Sequence, residues 1–216
     1  MPTLKKISSR RVVGWALIFI GVCGMVAAGI MYKTNSSASI VKSVAVQAAP
    51  SAKKPSQQDV ASYSVPPTNP KYIAMPSIKL GQTRVVPLGV LKSGAIATPN
   101  NIFDAGWYTG SAKPGQEGAM FIYGHVSSWQ ANGAFYDLKK LKTGDVVIVT
   151  RGDGRIYNYK VVSSKIYPYD KVDMNQVLSP IQAGQPGLNL MTCTGQVIKG
   201  TSEFNERLVV FTTLAS

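Results

Sequence analysis

The stretch Leu-Asn-Leu-Met-Thr-Cys, residues 188–193, is an apolar run that ends in a thiol. Arg207 follows Cys193 by fourteen residues and stands directly before a second apolar run, Leu-Val-Val-Phe, residues 208–211. Short apolar runs of this kind are typical of buried strands. If the two strands pair in antiparallel fashion, the end of the first and the start of the second share one rim of the sheet. The thiol and the guanidinium are therefore expected at the same mouth.

The only histidine of the chain, His125, also follows an apolar run, residues 119–123. A free thiol is only a few per cent thiolate at neutral pH, and nearby positive charge favours the thiolate. Acyl transfer also needs a general acid, usually a histidine, and donors for the oxyanion, which an arginine provides. The three residues thus predict acyl transfer through a thioester. The alternative is a buried cysteine, a structural histidine and an arginine paired with Glu203 or Glu206.

The second half of the chain predicts a mainly β domain over residues 71–216. Short apolar runs separated by Gly, Pro and Asn predict strands, and 134–141 has the spacing of a short helix, whereas 101–108 is expected to be irregular. Eight or so strands with little helix favour a closed or nearly closed barrel. The strands are expected over residues 72–75, 77–80, 84–90, 119–123, 146–150, 157–163, 188–192 and 208–213.

The N-terminal part predicts a membrane anchor. Residues 12–32 contain no charge and match the roughly 20 apolar residues that a transmembrane helix needs. The basic flank, residues 1–11, favours a cytoplasmic N-terminus and an extracellular domain. A cleaved signal peptide is the alternative, but its apolar region is usually shorter. Residues 33–70, rich in Ser, Ala, Lys and Pro, are expected to form a flexible extracellular tether.

Charge gives little support to a nucleic-acid partner. About half of the formal charge of +13 lies in residues 1–70, where it sets topology or contacts anionic lipid. A concentrated basic stripe with interleaved aromatic residues is missing from the sequence. No acidic cluster stands out as a calcium site, so no metal ligand is assigned and metal activation is left open. We expect no cofactor.

Three ordered motifs make residues 70–215 resemble the sortases, and most closely their classes E and F. They are the strand that ends in Thr-Cys (188–193), Gly-His-Val after an apolar strand (124–126), and Arg-Leu-Val-Val (207–210). The resemblance implies an eight-stranded sortase barrel and a cysteine transpeptidase. It further implies cleavage of a C-terminal Leu-Pro-x-Thr-Gly sorting signal between Thr and Gly, and transfer of the acyl group to an amine of a cell-wall precursor or a pilin subunit.

Carried over by residue, the resemblance makes Cys193 the nucleophile and His125 the general acid and then base. Arg207 would hold substrate and stabilise the oxyanion, and Thr192 would shape the substrate pocket. Residues 167–186, before the cysteine strand, are expected to select the sorting motif. Two other functions stay open: an exported L,D-transpeptidase, which lacks support because Met191 and Thr192 replace its usual His-Gly pair, and a non-catalytic wall-binding module.

Overall fold

The computed structural model describes residues 49–215 of the 216-residue chain. The predicted basic flank, the predicted transmembrane segment at 12–32 and the first part of the predicted tether lie outside these residues. Within the described part, no helix combines the length and the apolar character that a membrane crossing requires.

The described chain folds into a closed eight-stranded barrel, as the sequence predicts. The strands follow the order β1-β2-β3-β4-β7-β8-β6-β5 around the barrel. The pairs β2–β3 and β4–β7 are parallel, and the other six pairs are antiparallel. The strands are β1 Pro70–Met75, β2 Leu80–Leu88, β3 Ala105–Tyr108, β4 Ala119–Gly124, β5 Val146–Arg151, β6 Ile156–Pro168, β7 Gly187–Val197 and β8 Phe204–Leu214.

Within residues 49–215, helical structure is confined to short pieces. Two α-helices, α1 Gln57–Ala61 and α2 Met174–Val177, lie before β1 and between β6 and β7. Pro76–Ile78 and Leu138–Lys140 form 3₁₀ turns. The predicted helix at 134–141 is therefore only one such turn.

Side chains on the two faces of the sheet form separate apolar clusters. The interior cluster draws on all eight strands and includes Ile122, Leu190 and Val210. Residues adjacent to these in sequence, such as Tyr123 beside Ile122 and Val209 beside Val210, belong to a second cluster on the outer face. Alternate residues of a strand point to opposite faces, so one strand supplies both clusters. The outer cluster also contains Val177 of α2, and the loop between β6 and β7 therefore covers part of this face.

Two strand predictions were wrong for local reasons. Of residues 77–80, predicted as a strand, Ser77 and Ile78 belong to the 3₁₀ turn Pro76–Ile78, and Leu80 already begins β2. Lys79, between them, caps the turn with a left-handed φ of 59°. Residues 105–108, expected to be irregular, form β3. At Gly106, within this strand, a Cβ would lie 2.2 Å from the Leu88 side chain. The glycine serves close packing beside β2.

The last part of the predicted tether contacts the barrel. Ser51 forms a parallel bridge with Asn101, and α1 begins at a capping box formed by Ser56 and Asp59. The Tyr63 hydroxyl donates to the Val85 carbonyl at 2.8 Å. Residues 51–63 therefore belong to the folded domain, and the domain boundary lies earlier than residue 71.

Candidate active site

Cys193 and Arg207 are cross-strand neighbours. They are directly opposite each other in the antiparallel pair of β7 and β8. The sequence placed both at strand ends on a barrel rim, and this detail was wrong, because β7 continues to Val197 and β8 begins at Phe204. The thiol lies on the outer face with the second apolar cluster. The site is thus built on the sheet surface.

His125 reaches the same region from the neighbouring strand. It directly follows β4, which pairs in parallel with β7, and Tyr123 lies opposite Met191 in this pair. Continuing the register by two residues brings His125 level with Cys193. The topology therefore brings together, on three adjacent strands, the three side chains that the sequence singled out.

The imidazole of His125 is held by a main-chain carbonyl. Its Nε2 lies 2.8 Å from the carbonyl oxygen of Pro99, which is buried. A carbonyl only accepts, so Nε2 carries a proton in this arrangement. In the neutral ring the lone pair is then on Nδ1. Burial lowers the pKa of His125, although the Pro99 hydrogen bond opposes this effect.

The pKa of the Cys193 thiol shifts in the opposite direction. Burial raises the pKa of Cys193, and the Glu203 carboxylate adds to this effect. The Tyr123 hydroxyl, 3.1 Å from Sγ, and the Arg207 guanidinium lower the same pKa without cancelling the cost of burial. Desolvation disfavours the charged form of both an acid and a base. Neutral thiol and neutral imidazole are therefore the dominant forms around neutral pH.

Arg207 is tied to the connection between β7 and β8. Its Nη2 donates to the Glu203 carboxylate at 2.9 Å, and Nη1 donates to the carbonyl oxygens of Phe204 and Glu206. The guanidinium also lies 5.8 Å from the ring centroid of Tyr169. The ion pair with Glu203 and the position beside Cys193 coexist, so the two sequence-based interpretations of this arginine do not exclude each other.

Thr192 couples β7, which carries Cys193, to β4, which precedes His125. Its side chain is buried, and its hydroxyl donates to the carbonyl of Gly124 at 2.7 Å. Gly124 is the residue before His125, so this hydrogen bond fixes the two strands beside the reacting groups. Substrate contact by Thr192 stays a prediction.

A small cleft opens at the thiol. It has a volume of about 190 Å³. Its walls come from the segment after β4, from the start of the 3₁₀ region and from β7 and β8: Val126, Ser127, Tyr136, Lys139, Thr192, Cys193, Thr194, Gly195 and Phe204. Within residues 49–215, no group of three or more His, Cys, Asp or Glu side chains is placed to hold a metal ion.

Two further residues of the site were not predicted from the sequence. Tyr123 contacts Cys193 through its hydroxyl, and Asn189 donates from its amide to the carbonyls of Val177 and Ser179. Both residues lie inside apolar runs. The only available signal was the period of two, which places Asn189, Met191 and Cys193 on one face of β7.

Comparison with protein families identifies the family to which this barrel belongs. The family model described as "Sortase domain" matches residues 73–215. The chain belongs to the sortase family. Members of this family are cysteine transpeptidases, as the sequence predicts, and the match favours the sortase prediction over the L,D-transpeptidase alternative. No curated protein sequence matches the chain.

Solved sortase structures share the barrel at low sequence identity. Sortase A from Corynebacterium diphtheriae is 22% identical, with 67% of this chain and 60% of that chain covered and a TM-score of 0.52. SrtA from Actinomyces oris is 20% identical, with 78% and 87% covered and a TM-score of 0.52. Sortase C from Streptococcus pneumoniae is 22% identical, with 77% and 75% covered and a TM-score of 0.53. The chain spans less than two thirds of the Corynebacterium protein, and at these identities the likeness concerns the fold.

Proposed function

We propose that this sortase is a membrane-anchored transpeptidase that cleaves a Leu-Pro-x-Thr-Gly-type sorting signal and transfers the protein to an amine of the cell wall. The observation that carries the proposal is the direct pairing of Cys193 with Arg207 beside β4, the strand that ends directly before His125. A thiol, a guanidinium and an imidazole on three adjacent strands are the groups that acyl transfer through a thioester requires.

In the proposed reaction, His125 accepts the thiol proton as Cys193 attacks the threonine carbonyl of the signal. A bond forms between Sγ and the carbonyl carbon, and the carbonyl electrons move to the oxygen. Arg207 stabilises this oxyanion. The bond between carbon and the glycine nitrogen then breaks, and the imidazolium returns the proton to the leaving amine. The products are a thioester on Cys193 and a free glycine-led tail.

In the second half-reaction the thiol is the leaving group. An incoming amine attacks the thioester, His125 removes a proton from the amine nitrogen, and the thiol leaves and recovers its proton. A new amide joins the sorted protein to the acceptor. The proposed partners are therefore a sorting-signal protein and an amine of a cell-wall precursor, with no nucleic acid and no cofactor.

The location is part of the proposal. The uncharged segment 12–32, preceded by a basic flank, supports a single-pass anchor with a cytoplasmic N-terminus and an extracellular catalytic domain. Anchoring the enzyme near substrates that are themselves held in the membrane raises their effective concentration. Modest affinity for a short peptide then suffices. Assignment to class E or F rests on the sequence motifs around His125 and stays a prediction.

The test is peptide cleavage by the full chain in detergent micelles. The chain is incubated with a panel of sorting peptides and a small amine, and the products are identified by mass. We expect cleavage between Thr and Gly and a thioester adduct at Cys193. Activity should be lost in Cys193→Ala, His125→Ala and Arg207→Ala and retained in Cys23→Ala, the matched control at the other cysteine. A full-length chain that binds cell wall but forms no adduct with any peptide would instead support a non-catalytic module.

A further inference from the structure

Tyr123 contacts both reacting groups of the site. Its hydroxyl oxygen lies 3.1 Å from Sγ of Cys193, and its ring packs edge-on against the His125 ring, with 5.8 Å between centroids and 80° between planes. Only 8% of the residue is exposed. A phenol hydroxyl buried to this extent normally has a hydrogen-bond partner, and here that partner is the nucleophile.

The direction of this hydrogen bond depends on the charge of the sulfur. With a neutral thiol, either atom can donate. A thiolate has no proton and only accepts, so the hydroxyl must then donate. Hydrogen bonds to an ionised acceptor are roughly twice as strong as neutral ones. The contact therefore favours the thiolate over the thiol.

The hydroxyl keeps its proton while the thiol loses one. Burial raises the pKa of Tyr123 well above its ordinary value, and proximity to Cys193 adds to this effect. The pKa of Cys193 is also raised by burial but starts from a lower ordinary value. As the pH rises, the thiolate forms beside an intact phenol.

We propose that Tyr123 is a further residue of the catalytic site, which holds the Cys193 sulfur in place and stabilises its thiolate by donating a hydrogen bond from the phenol hydroxyl. This role deepens the proposed transpeptidase function and rests on it. Once the sulfur is acylated it carries no charge, and the hydrogen bond weakens. The hydroxyl thus stabilises the attacking form of the nucleophile more than the thioester.

Other charged and titratable groups surround the sulfur and stay in place when the hydroxyl is removed. They lie on several elements around the thiol. Arg207 faces the thiol from β8, Glu203 acts from the connection after β7, and His125 follows β4. Lys139 lines the same cleft, and Tyr167 of β6 belongs to the outer cluster, where its hydroxyl bonds Gln176. Replacing Tyr123 by Phe leaves all of these unchanged.

The test measures the thiol directly. The full chain with Cys23→Ala has a single thiol, and its rate of alkylation by iodoacetamide is followed as a function of pH. In Tyr123→Phe, which keeps the ring and loses only the hydroxyl, we expect the midpoint of the alkylation profile to rise by about one pH unit. Below both midpoints, alkylation should be about tenfold slower. Tyr123→Leu must shift the midpoint in the same direction.

The control is Tyr159→Phe. Tyr159 is also buried, and its hydroxyl accepts from the Gly115 N–H inside the barrel, away from the thiol. This variant should leave the alkylation midpoint unchanged. An unchanged midpoint in a folded Tyr123→Phe, verified by its thermal unfolding transition, overturns the proposal. A lowered midpoint also overturns it, because the hydroxyl would then favour the thiol. Alkylation needs no peptide, so failure of peptide cleavage by the unmodified chain would reject the transpeptidase function separately.

Discussion

Burial acts on the two reacting groups in opposite directions. It lowers the pKa of His125 and raises the pKa of Cys193, so the pair is neutral over a wide pH interval. The form in which the thiolate faces an imidazolium is then a minor population. Arg207 and the Tyr123 hydroxyl both favour the thiolate, and they increase this population without making it dominant.

The first prediction at the residue scale concerns pH. We expect kcat/KM for peptide cleavage to form a broad plateau, with an acid limb below the ordinary imidazole pKa of about 6.5 and an alkaline limb above the ordinary thiol pKa of about 8.5. The sign follows from the shifts: on the acid side the imidazole is protonated and cannot accept the thiol proton, and on the alkaline side the thiol has already lost the proton that the imidazole must pass to the leaving amine.

The measurement that checks this order is the cleavage rate from about pH 5 to pH 10, compared with iodoacetamide alkylation of Cys193 over the same range. Alkylation should follow the alkaline limb. If the thiol instead titrated on the acid limb, the ion pair would be the dominant form, and the assignment of a neutral pair would be wrong. Cys193→Ala serves as the blank at every pH.

Residue type explains which site residues could be predicted from the sequence. Cys193 and His125 stand out because each is rare in this chain, and Arg207 stands out because it directly precedes an apolar run. Tyr123 has no such mark, because a tyrosine in a buried strand serves packing equally well. Its role depends on one interatomic distance to a residue seventy positions away. Distances of that kind follow from strand register, which the sequence does not state.

At the scale of elements, the side chains of β7 alternate between the barrel interior and the outer face that carries the site. Leu188 and Leu190 point into the barrel, whereas Met191 and Cys193 face the outer cluster. Apolar runs predicted the core part of this strand well. They could not predict its end, because hydrogen-bonded pairing with β8 continues through Thr194 as far as Val197. For this reason Cys193, the proposed nucleophile, lies within the sheet and not on its rim.

Asn189 connects the outer face of β7 to the loop that carries α2. Its side-chain nitrogen donates to the carbonyl of Val177 at 2.7 Å and to that of Ser179 at 2.9 Å, and the residue is fully buried. Among the described residues its Oδ1 has no hydrogen-bond partner. The amide therefore holds the loop that we expect to select the sorting motif.

The prediction for this element is that Asn189→Asp destabilises the protein by about 3 kcal/mol. Both donors are lost, and a buried carboxylate faces two carbonyl oxygens. Urea unfolding gives the change in free energy, and the KM for the sorting peptide should rise because the loop is released. The matched control is Asn175→Asp, an exposed position on α2, which should change stability by less than about 0.5 kcal/mol. Equal effects of the two substitutions would contradict the role of Asn189.

At the scale of the whole molecule, the segment before β1 supports the loop that holds His125, the proposed general base. Ser51 exchanges main-chain hydrogen bonds with Asn100 and Ile102, at 2.7 and 2.9 Å. The amide of Asn101 donates to the carbonyl of Lys53 at 2.8 Å. Pro99, whose carbonyl holds His125, directly precedes these residues. Residues 51–53 are therefore connected to the imidazole of His125 through one short loop, residues 99–102.

Composition explains why the sequence missed this support. Residues 51–63 show no apolar period, and their Ser, Lys, Gln and Pro content is typical of a linker. Their attachment uses main-chain hydrogen bonds and the hydroxyls of Tyr63 and Tyr72, which bond the carbonyls of Val85 and Val60. Side-chain patterning carries no record of such contacts, whereas the barrel strands are visible because they bury apolar side chains.

The last prediction tests this support by truncation. A chain of residues 64–216 should be less stable than one of residues 49–216 by about 2–4 kcal/mol, since it loses several hydrogen bonds worth about 1 kcal/mol each. Cleavage should also slow, because the loop that carries Pro99 loses its neighbour and His125 is less well positioned. Urea unfolding and kcat measure the two effects. Gln57→Ala in the longer chain, an exposed change within α1, should alter neither. Equal unfolding free energies for the two chains would mean that residues 49–63 rest on the barrel without stabilising it.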